Sequence, residues 1–599
     1  MGRALSEVMT AELEDTPGLH AISSGTLYSA SVRFGLRAPA APGISTERDL
    51  ALAAGATQLG YGQYTVRGGR VEARFEIEDL ASRRITTVVS ESKGSGELLS
   101  IAASLARPVS DHLQPFGTSK QEALEAWAQA VETPDVGRSI TLLQHAIAVD
   151  PNFGPPYRAL AENQARQDRA LAVGTLERGV ARGASMPARD RLRLELALAT
   201  LRDDSESKER AAAALVKLEP VEPANWSSLA EIAMNRRDYR RAADALQKFV
   251  ELEPANAAGW NQLGYAAAYA GDLATAESVL RKYEALSPGD ANPLDSLGDV
   301  NLLNGRLREA ETYYLEALKK HPGFLNHADL YKAAMARLMS GDTAGADALA
   351  KQYVEARMAT HDPAVDLFGA EWLWASGRRT EGYRRMQDLA RAAETGGRKE
   401  LAARAYAEAA IWSLMLGDRA AAEALAAHAA PLAGPASDAL VVLARFLSQP
   451  QASGLEWASR ADRAFSAPAA VTIHDLALGY ALLLASDFTA AAAPAERIWR
   501  HTAPTGEEHA DVVLAWVRLE AGKPEDAAAL LRANPIPDAT GPGPFTSFVF
   551  PRIFYLRAMA AESAGRTDEA RTNYRLFVQL SGDRPLVWGE EKKAAAKAP

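Results

Sequence analysis

The chain has 599 residues, a formal net charge of −10, a sequence pI near 5.7 and no cysteine. That length is more than one hydrophobic core serves, so several domains or an extended repeat array is expected. The acidic balance disfavours nucleic acid and anionic membranes as partners. Without cysteine there are no disulfides, no thiolate chemistry and no cysteine-ligated metal, in a reducing or an oxidising compartment alike.

No window approaches the ~18 uninterrupted apolar residues of a spanning helix, so no membrane insertion by this chain is expected. Met1 leads directly into an amphipathic helix, with no basic stretch and apolar run, so no secretory signal is read. Leu5, Val8, Met9 and Leu13 mark one face of that helix, and Pro17-Gly18 ends it. A short strand is expected near Leu19 to Ser24, then a helix from about Thr46 to Ala56, with Thr46 as its cap. Two strands follow, Thr57 to Val66 and Val71 to Glu78, around Arg67-Gly68-Gly69-Arg70, where paired glycines suit a two-residue hairpin turn. Val71, Ala73, Phe75 and Ile77 alternate with charged residues, so one face is buried and the other wet. A third strand, Arg83 to Ser90, completes a meander, and a helix from Gly96 closes the unit near Pro115.

This order, with Leu5 to Leu13 on the first helix and the run Gly60-Tyr61-Gly62-Gln63-Tyr64-Thr65-Val66, resembles the amino-terminal domain of the periplasmic protein TolB. The likeness covers about a fifth of the chain and implies a small α/β domain over 1–116. In that family a strand precedes the first helix. Here Met1 stands where that strand should already have ended, so the sheet is expected to lack its first strand, either because it tolerates an open edge or, the reading favoured, through truncation. With it would go any upstream anchor. The location implied is cytoplasmic as written, or periplasmic if a membrane segment once preceded Met1.

From Glu122 the pattern is helical. Four prolines, Pro220, Pro254, Pro288 and Pro322, stand 34 residues apart. Between them a bulky residue (Trp226, Trp260, Leu294) is followed by leucine (Leu229, Leu263, Leu297), a small residue (Ala230, Gly264, Gly298) and later an alanine (Ala242, Ala276, Ala310). Gly271 and Gly305 mark turns. This is the tetratricopeptide-repeat pattern. The bulky residue and the leucine share a face of the first helix, the small residue admits the second helix, and the proline closes the repeat. One pair cannot bury its own apolar face, so pairs must stack. The turn rule returns at Gly341-Asp342, Gly417-Asp418, Gly522-Lys523 and Gly565-Arg566, with Gly377-Arg378 and Ser486-Asp487 as weaker copies and Asp203-Asp204 as a weak early turn. The fold expected is mainly α: an α-solenoid of about a dozen helix pairs over 117–585, behind the small α/β domain, with a tail at 586–599 that is expected to be frayed from Glu590.

No catalytic motif is found, and the chain is read as non-enzymatic, with no cofactor and no metal site. Gly94-Ser95-Gly96 could cradle an anion at a helix start, but it is read as a helix cap on a tight βα loop. His321 and His327, and His501 and His509, lack ligand spacing with a third partner. Glu507-Glu508 and Asp203-Asp204 are adjacent residues that point apart. Trp372 and Trp374 could form an aromatic shelf for a ligand, or pack between repeats. What remains is surface. Groove-facing positions five and nine of the regular repeats are Ser227 and Glu231, Asn261 and Tyr265, and Asp295 and Asp299. This neutral-to-acidic row fits a neutral or basic segment of a partner protein, extended or helical. The function expected is a protein-interaction scaffold. Its rival is the extracytoplasmic or regulatory half of a signalling protein, a serine/threonine kinase or transcriptional regulator, whose upstream part is missing.

Overall fold

A computed structural model describes the chain except residues 1, 14–15, 17–18, 20, 23–47, 49–50, 53–55, 95–96, 114–115, 362–364, 436, 466–470, 503–508, 533–544 and 599. It divides into two compact units. The first is Met1–Met234 with Arg240–Trp260, and the second is Asn235–Tyr239 with Asn261–Pro599.

The first unit opens with helix α1 (Gly2–Leu13). Strands β1 (Gln58–Arg67), β2 (Arg70–Asp79) and β3 (Ile85–Gly94) then form an antiparallel sheet of order β1-β2-β3, followed by α2 (Leu98–Ala106). The hairpin turn is the expected one: Arg67 pairs with Arg70 across Gly68 and Gly69, both at positive φ. Val71, Ala73 and Ile77 are buried while Glu72 and Arg74 are exposed, so the alternation decides which face α1 and α2 cover. Leu124 and Ala128, on the first repeat helix, complete that same core. Leu19, Ala21 and Ile22 have no regular structure, and the rest of the strand expected there falls outside the described residues, as does most of the helix expected at Thr46 to Ala56.

The helix pairs begin with α3 (Gln121–Glu132) and α4 (Val136–Val149), then α5 (Gly154–Ala165) and α6 (Arg169–Val180), α7 (Ala188–Arg202) and α8 (Ser205–Leu218), and α9 (Pro223–Asn235) and α10 (Tyr239–Leu252). The regular block continues with α11 (Ala257–Tyr269) and α12 (Leu273–Leu286), then α13 (Asn292–Leu303) and α14 (Leu307–Lys320). The repeat chemistry acts as expected. Gly271 has φ +86 and ends α11, and Asp272 then caps α12 by accepting from the Thr275 N–H. At the weaker turns Asp203 and Ser486 take the same left-handed place without glycine. A Cβ at Gly298 would lie 2.5 Å from the Tyr314 ring, so only glycine admits that helix–helix approach. Ala242, Ala276 and Ala310 are fully buried at the crossings. Trp226 and Trp260 also donate their indole N–H to the carbonyls of Pro220 and Pro254, at 2.7 and 2.9 Å, tying each repeat to the proline that opened it.

The later part of the second unit departs from an open stack. Its pairs are α15 (Ala328–Met339) and α16 (Thr343–Ala359), α17 (Val365–Ala375) and α18 (Arg379–Thr395), α19 (Lys399–Met415) and α20 (Arg419–Ala429), and α21 (Asp438–Leu447) and α22 (Gly454–Ala464). Then come α23 (Val471–Leu484) and α24 (Phe488–His501), and α25 (Ala510–Glu520) and α26 (Pro524–Arg532). The short α27 (Thr546–Val549), α28 (Arg552–Ser563), α29 (Thr567–Leu580) and α30 (Glu590–Lys597) follow. Several first helices of these pairs are buried nearly all round: every residue of α19 from Ala405 to Met415 is buried. A single hydrophobic cluster runs from Leu302 to Ala594. The frayed tail expected from Glu590 is corrected here, because the segment after α29 is strapped across the turns of earlier pairs. The Asp583 N–H donates to the Gly377 carbonyl at 2.9 Å, the Val587 N–H to Met415 at 2.9 Å, and the Trp588 indole to Leu483 at 2.8 Å. Arg552 is clamped between the rings of Trp516 and Trp588, 4.1 and 3.9 Å away, and bonds Glu590 at 2.7 Å. Two chain segments touch so closely at Gly377 and Gly582 that neither tolerates a side chain.

Candidate functional site

The residues expected to line a groove meet different fates. In the first unit, Glu231 is exposed on α9 and Ser227 is half-buried, while Leu229, Ala230 and Ala233 on the same helix are buried. The register of α5 repeats this arrangement: Tyr157, Leu160 and Ala161 pack inward, and Arg158 and Glu162 are exposed one turn apart, 3.9 Å from each other.

In the second unit, Asn261 and Tyr265 on α11 and Asp295 and Asp299 on α13 are drawn into an internal network. Its centre is Lys332 on α15, 4% exposed. Lys332 Nζ donates to Asp295, lies 2.9 Å from Asp299 Oδ1 and 4.0 Å from Asp329 Oδ1, and sits 5.3 Å over the Tyr314 ring. Tyr265 donates to Asp299 Oδ2 at 2.7 Å and Tyr314 to Asp299 Oδ1 at 2.9 Å. Asn261 Nδ2 donates to Asn292 Oδ1, at 3.5 Å. Three carboxyl groups thus share one ammonium, and the buried charges settle by shifting their protonation. Burial, then the Asp299 charge, pushes Asp295 up to about 6. Burial, then Asp295, pushes Asp329 up to about 9. Burial alone would lower Lys332, but the carboxylates of Asp299, Asp295 and Asp329 outweigh it and hold the lysine above its ordinary value. Burial also raises Tyr265, with Asp299 adding to it.

This corrects the reading of Asp295 and Asp299 as free acids aimed at a guest: their charge is engaged by Lys332. The sequence holds a signal for the missing members. Asp329 continues the position-five series of Ser227, Asn261 and Asp295 at the same 34-residue step. Lys332 falls in the small slot that Ala230, Gly264 and Gly298 occupy in the preceding repeats. Of the remaining candidates, Trp372 packs edge-on against Tyr331 and donates to Asp347 at 2.8 Å, and Trp374 stacks on Trp412 at 4.3 Å. Asp203 and Asp204 are a helix end and a helix cap. His509 is buried, 3.2 Å from Thr546 Oγ1. Ser95, Gly96, Glu507 and Glu508 lie outside the described residues. No helix among the described residues is long and apolar enough to cross a membrane.

No protein-family model matches the chain, and no curated protein does. Solved structures of helix-repeat proteins align with part of it. MamA from Desulfovibrio magneticus RS-1 is 18% identical over 29% of this chain and 97% of its own, with a TM-score of 0.26. The C-terminal part of a tetratricopeptide-repeat protein from Cytophaga hutchinsonii is 15% identical over 39% of this chain and 93% of its own, at 0.33. YrrB, described as a tetratricopeptide-repeat protein with an unusual peptide-binding site, is 15% identical over 37% of this chain and 94% of its own, at 0.24.

Proposed function

We propose that the chain is a non-enzymatic protein-interaction scaffold, and that its first unit takes a neutral-to-basic segment of a partner protein. The observation that supports this is the polar face of the early first helices. Glu231 and Ser227 on α9, and Arg158 and Glu162 on α5, stay accessible while the opposite faces are buried. In the second unit the corresponding positions are engaged internally, so Asn261, Tyr265, Asp295 and Asp299 serve the scaffold's integrity before any guest. The small sheet domain, whose sequence resembles the amino-terminal domain of TolB, is a second docking unit in this reading.

A photo-crosslinking amino acid at position 231, challenged with arrays of lysine-rich, neutral and glutamate-rich peptides, tests it. Basic peptides should label and acidic ones should not, and Glu231→Lys should reverse that preference while leaving the thermal melt unchanged, because Glu231 is exposed. Equal labelling by acidic peptides overturns the charge argument, and no labelling by any class overturns the site.

A further inference from the structure

The three-stranded sheet of the first unit has two outer edges, and the sequence treats them differently. The β3 edge carries Glu91 and Lys93 on the core face, opposite Ala73 and Val71. Lys93 Nζ donates to the hydroxyls of Ser100 and Ser104 on α2, at 2.8 and 2.7 Å, and so ties that helix over the edge. The β2–β3 register also shifts between Ile77 and Glu78, an irregularity that bends the strand pair. Charge, a covering helix and a bulge are the devices that keep a strand edge from pairing with another chain. β1 has none of them. From Gln58 to Val66 it contains no charged residue and no proline, and its register with β2 is unbroken over all ten residues.

Among the described residues no strand pairs with the outer edge of β1, and every residue from Gly62 to Arg67 is exposed. Tyr64 stands opposite Ala73 and Val66 opposite Val71, so both lie on the face whose β2 residues are buried with α1 and α2. They are nevertheless 43% and 51% exposed. The apolar face of the sheet therefore runs out to this edge and stops there without a border. Alternate residues of an edge strand also turn their N–H and C=O outward, where a further strand can pair with them. What fits is an extended segment without charge that brings small residues where β1 is bulky.

β1 itself meets that description. Paired antiparallel with its own copy about a two-fold axis at Gln63, it sets Tyr64 opposite Gly62 and Val66 opposite Gly60 on the apolar face. Each bulky side chain then covers a residue that has none. At Gly60 the incoming valine also meets the Phe75 ring, which lies over that glycine, 2.7 Å from where a Cβ would stand. On the other face the same register puts Tyr61 against Thr65, an aromatic beside a β-branched side chain. With no charge between Gln58 and Val66, two copies of an acidic chain meet here without local repulsion. We infer that the β1 edge is a self-association surface, where two copies of the chain join their sheets by antiparallel β1–β1 pairing centred on Gln63. This rests on the reading of the sheet domain as a docking unit and names its occupant; it is independent of the peptide face on α9. The paired stretch from Gly60 to Val66 is well short of the ~20–30 residues a side of a standard interface, so the dimer is weak, with a dissociation constant on the order of tens of micromolar.

The test exploits the absence of cysteine from the chain. Gln63→Cys puts one thiol per copy at the axis, where facing residues of an antiparallel pair stand ~4.5–5.5 Å apart, within reach of a disulfide. Thr65→Cys holds its two thiols ~13 Å apart in the same register, out of reach. Mild oxidation of the full chain should therefore give covalent dimer with Gln63→Cys and little with Thr65→Cys. Sedimentation of the parent protein from about 1 to about 300 µM, a range that brackets the expected constant, should show a monomer–dimer equilibrium. Tyr64→Lys and, separately, Val66→Lys should weaken it at least tenfold with an unchanged far-UV circular dichroism spectrum, since both side chains are already about half exposed. A parent protein that stays monomeric over that range overturns the inference, as does a dimer indifferent to both lysines or equal crosslinking by the two cysteine variants. An alternating threonine-valine hexapeptide, read by a fluorophore on Gln63→Cys, separates the two failures. Its binding to a monomeric protein overturns the second copy as occupant and keeps the docking role of the sheet domain, and its failure to bind such a protein removes that role as well.

Discussion

Replacing Lys332 with methionine removes the ammonium from among Asp295, Asp299 and Asp329 while keeping side-chain length and apolar volume. All four groups are at most a quarter exposed, and three of them are essentially buried. Removing one partner of a buried ion pair costs about 3–5 kcal/mol, chiefly because the other charge is left unpaired. For a unit of this size, about 2 °C of melting temperature is lost per kcal/mol, so Lys332→Met should melt some 6–10 °C below the parent protein. The loss depends on pH, and the sign follows from the carboxyl groups. Their folded values, about 6 for Asp295 and about 9 for Asp329, stand above the ordinary unfolded value near 4. Such groups contribute stability that is present at low pH and is lost as pH rises through the folded values. Without Lys332 they are pushed higher still, so the deficit should widen from pH 5 to pH 8. Adding Asp295→Asn and Asp299→Asn to Lys332→Met should recover most of the loss. Melts followed by circular dichroism at the two pH values decide the matter. A deficit under 2 °C at pH 8, or one that shrinks as pH rises, refutes the assignment of Lys332 as the charge that holds α13 and α15 together.

Three further outcomes are expected. Gly298→Val forces a branched side chain into the Tyr314 ring and should cost about 3 kcal/mol, read as a lower denaturation midpoint with an unchanged slope. Asp272→Ala removes the cap of α12 and should cost about 1 kcal/mol, with Asp272→Asn recovering most of it in the same assay. Trp588→Ala empties the clamp on Arg552 and deletes the bond to the Leu483 carbonyl. It should destabilise the second unit by about 3 kcal/mol and increase protease cleavage after Arg584.

The period was legible because each repeat position answers a local steric demand. A left-handed turn asks for Gly271, a close crossing asks for Gly298 and Ala310, and those demands recur every 34 residues whatever surrounds them. The hairpin at Gly68-Gly69 was legible for the same reason. What the pattern could not convey is what happens when stacked pairs meet residues far away in the chain. Asp295 and Asp299 look like solvent-facing acids until Lys332, sitting where a small residue belongs, is placed among them. Glu371 and Glu408 are 37 residues apart in sequence, each between apolar neighbours on its own helix, and nothing local announces that they converge. The stretch from Glu590 has the composition of a solvated end, with consecutive charges and alanines. Its helix exists because Trp588 and Leu586 anchor the chain just before it.

That anchoring changes the kind of object the second unit is. A row of hairpins that touch only their neighbours can be unzipped from either end, one hairpin at a time. Here Arg379 grips the Arg584 carbonyl from 205 residues upstream, so the outermost hairpin cannot be peeled off without breaking bonds in the middle. The unit should therefore hold together or fail in one step, as a globule does, trading the gradual give of a spring for the all-or-none behaviour of a latch.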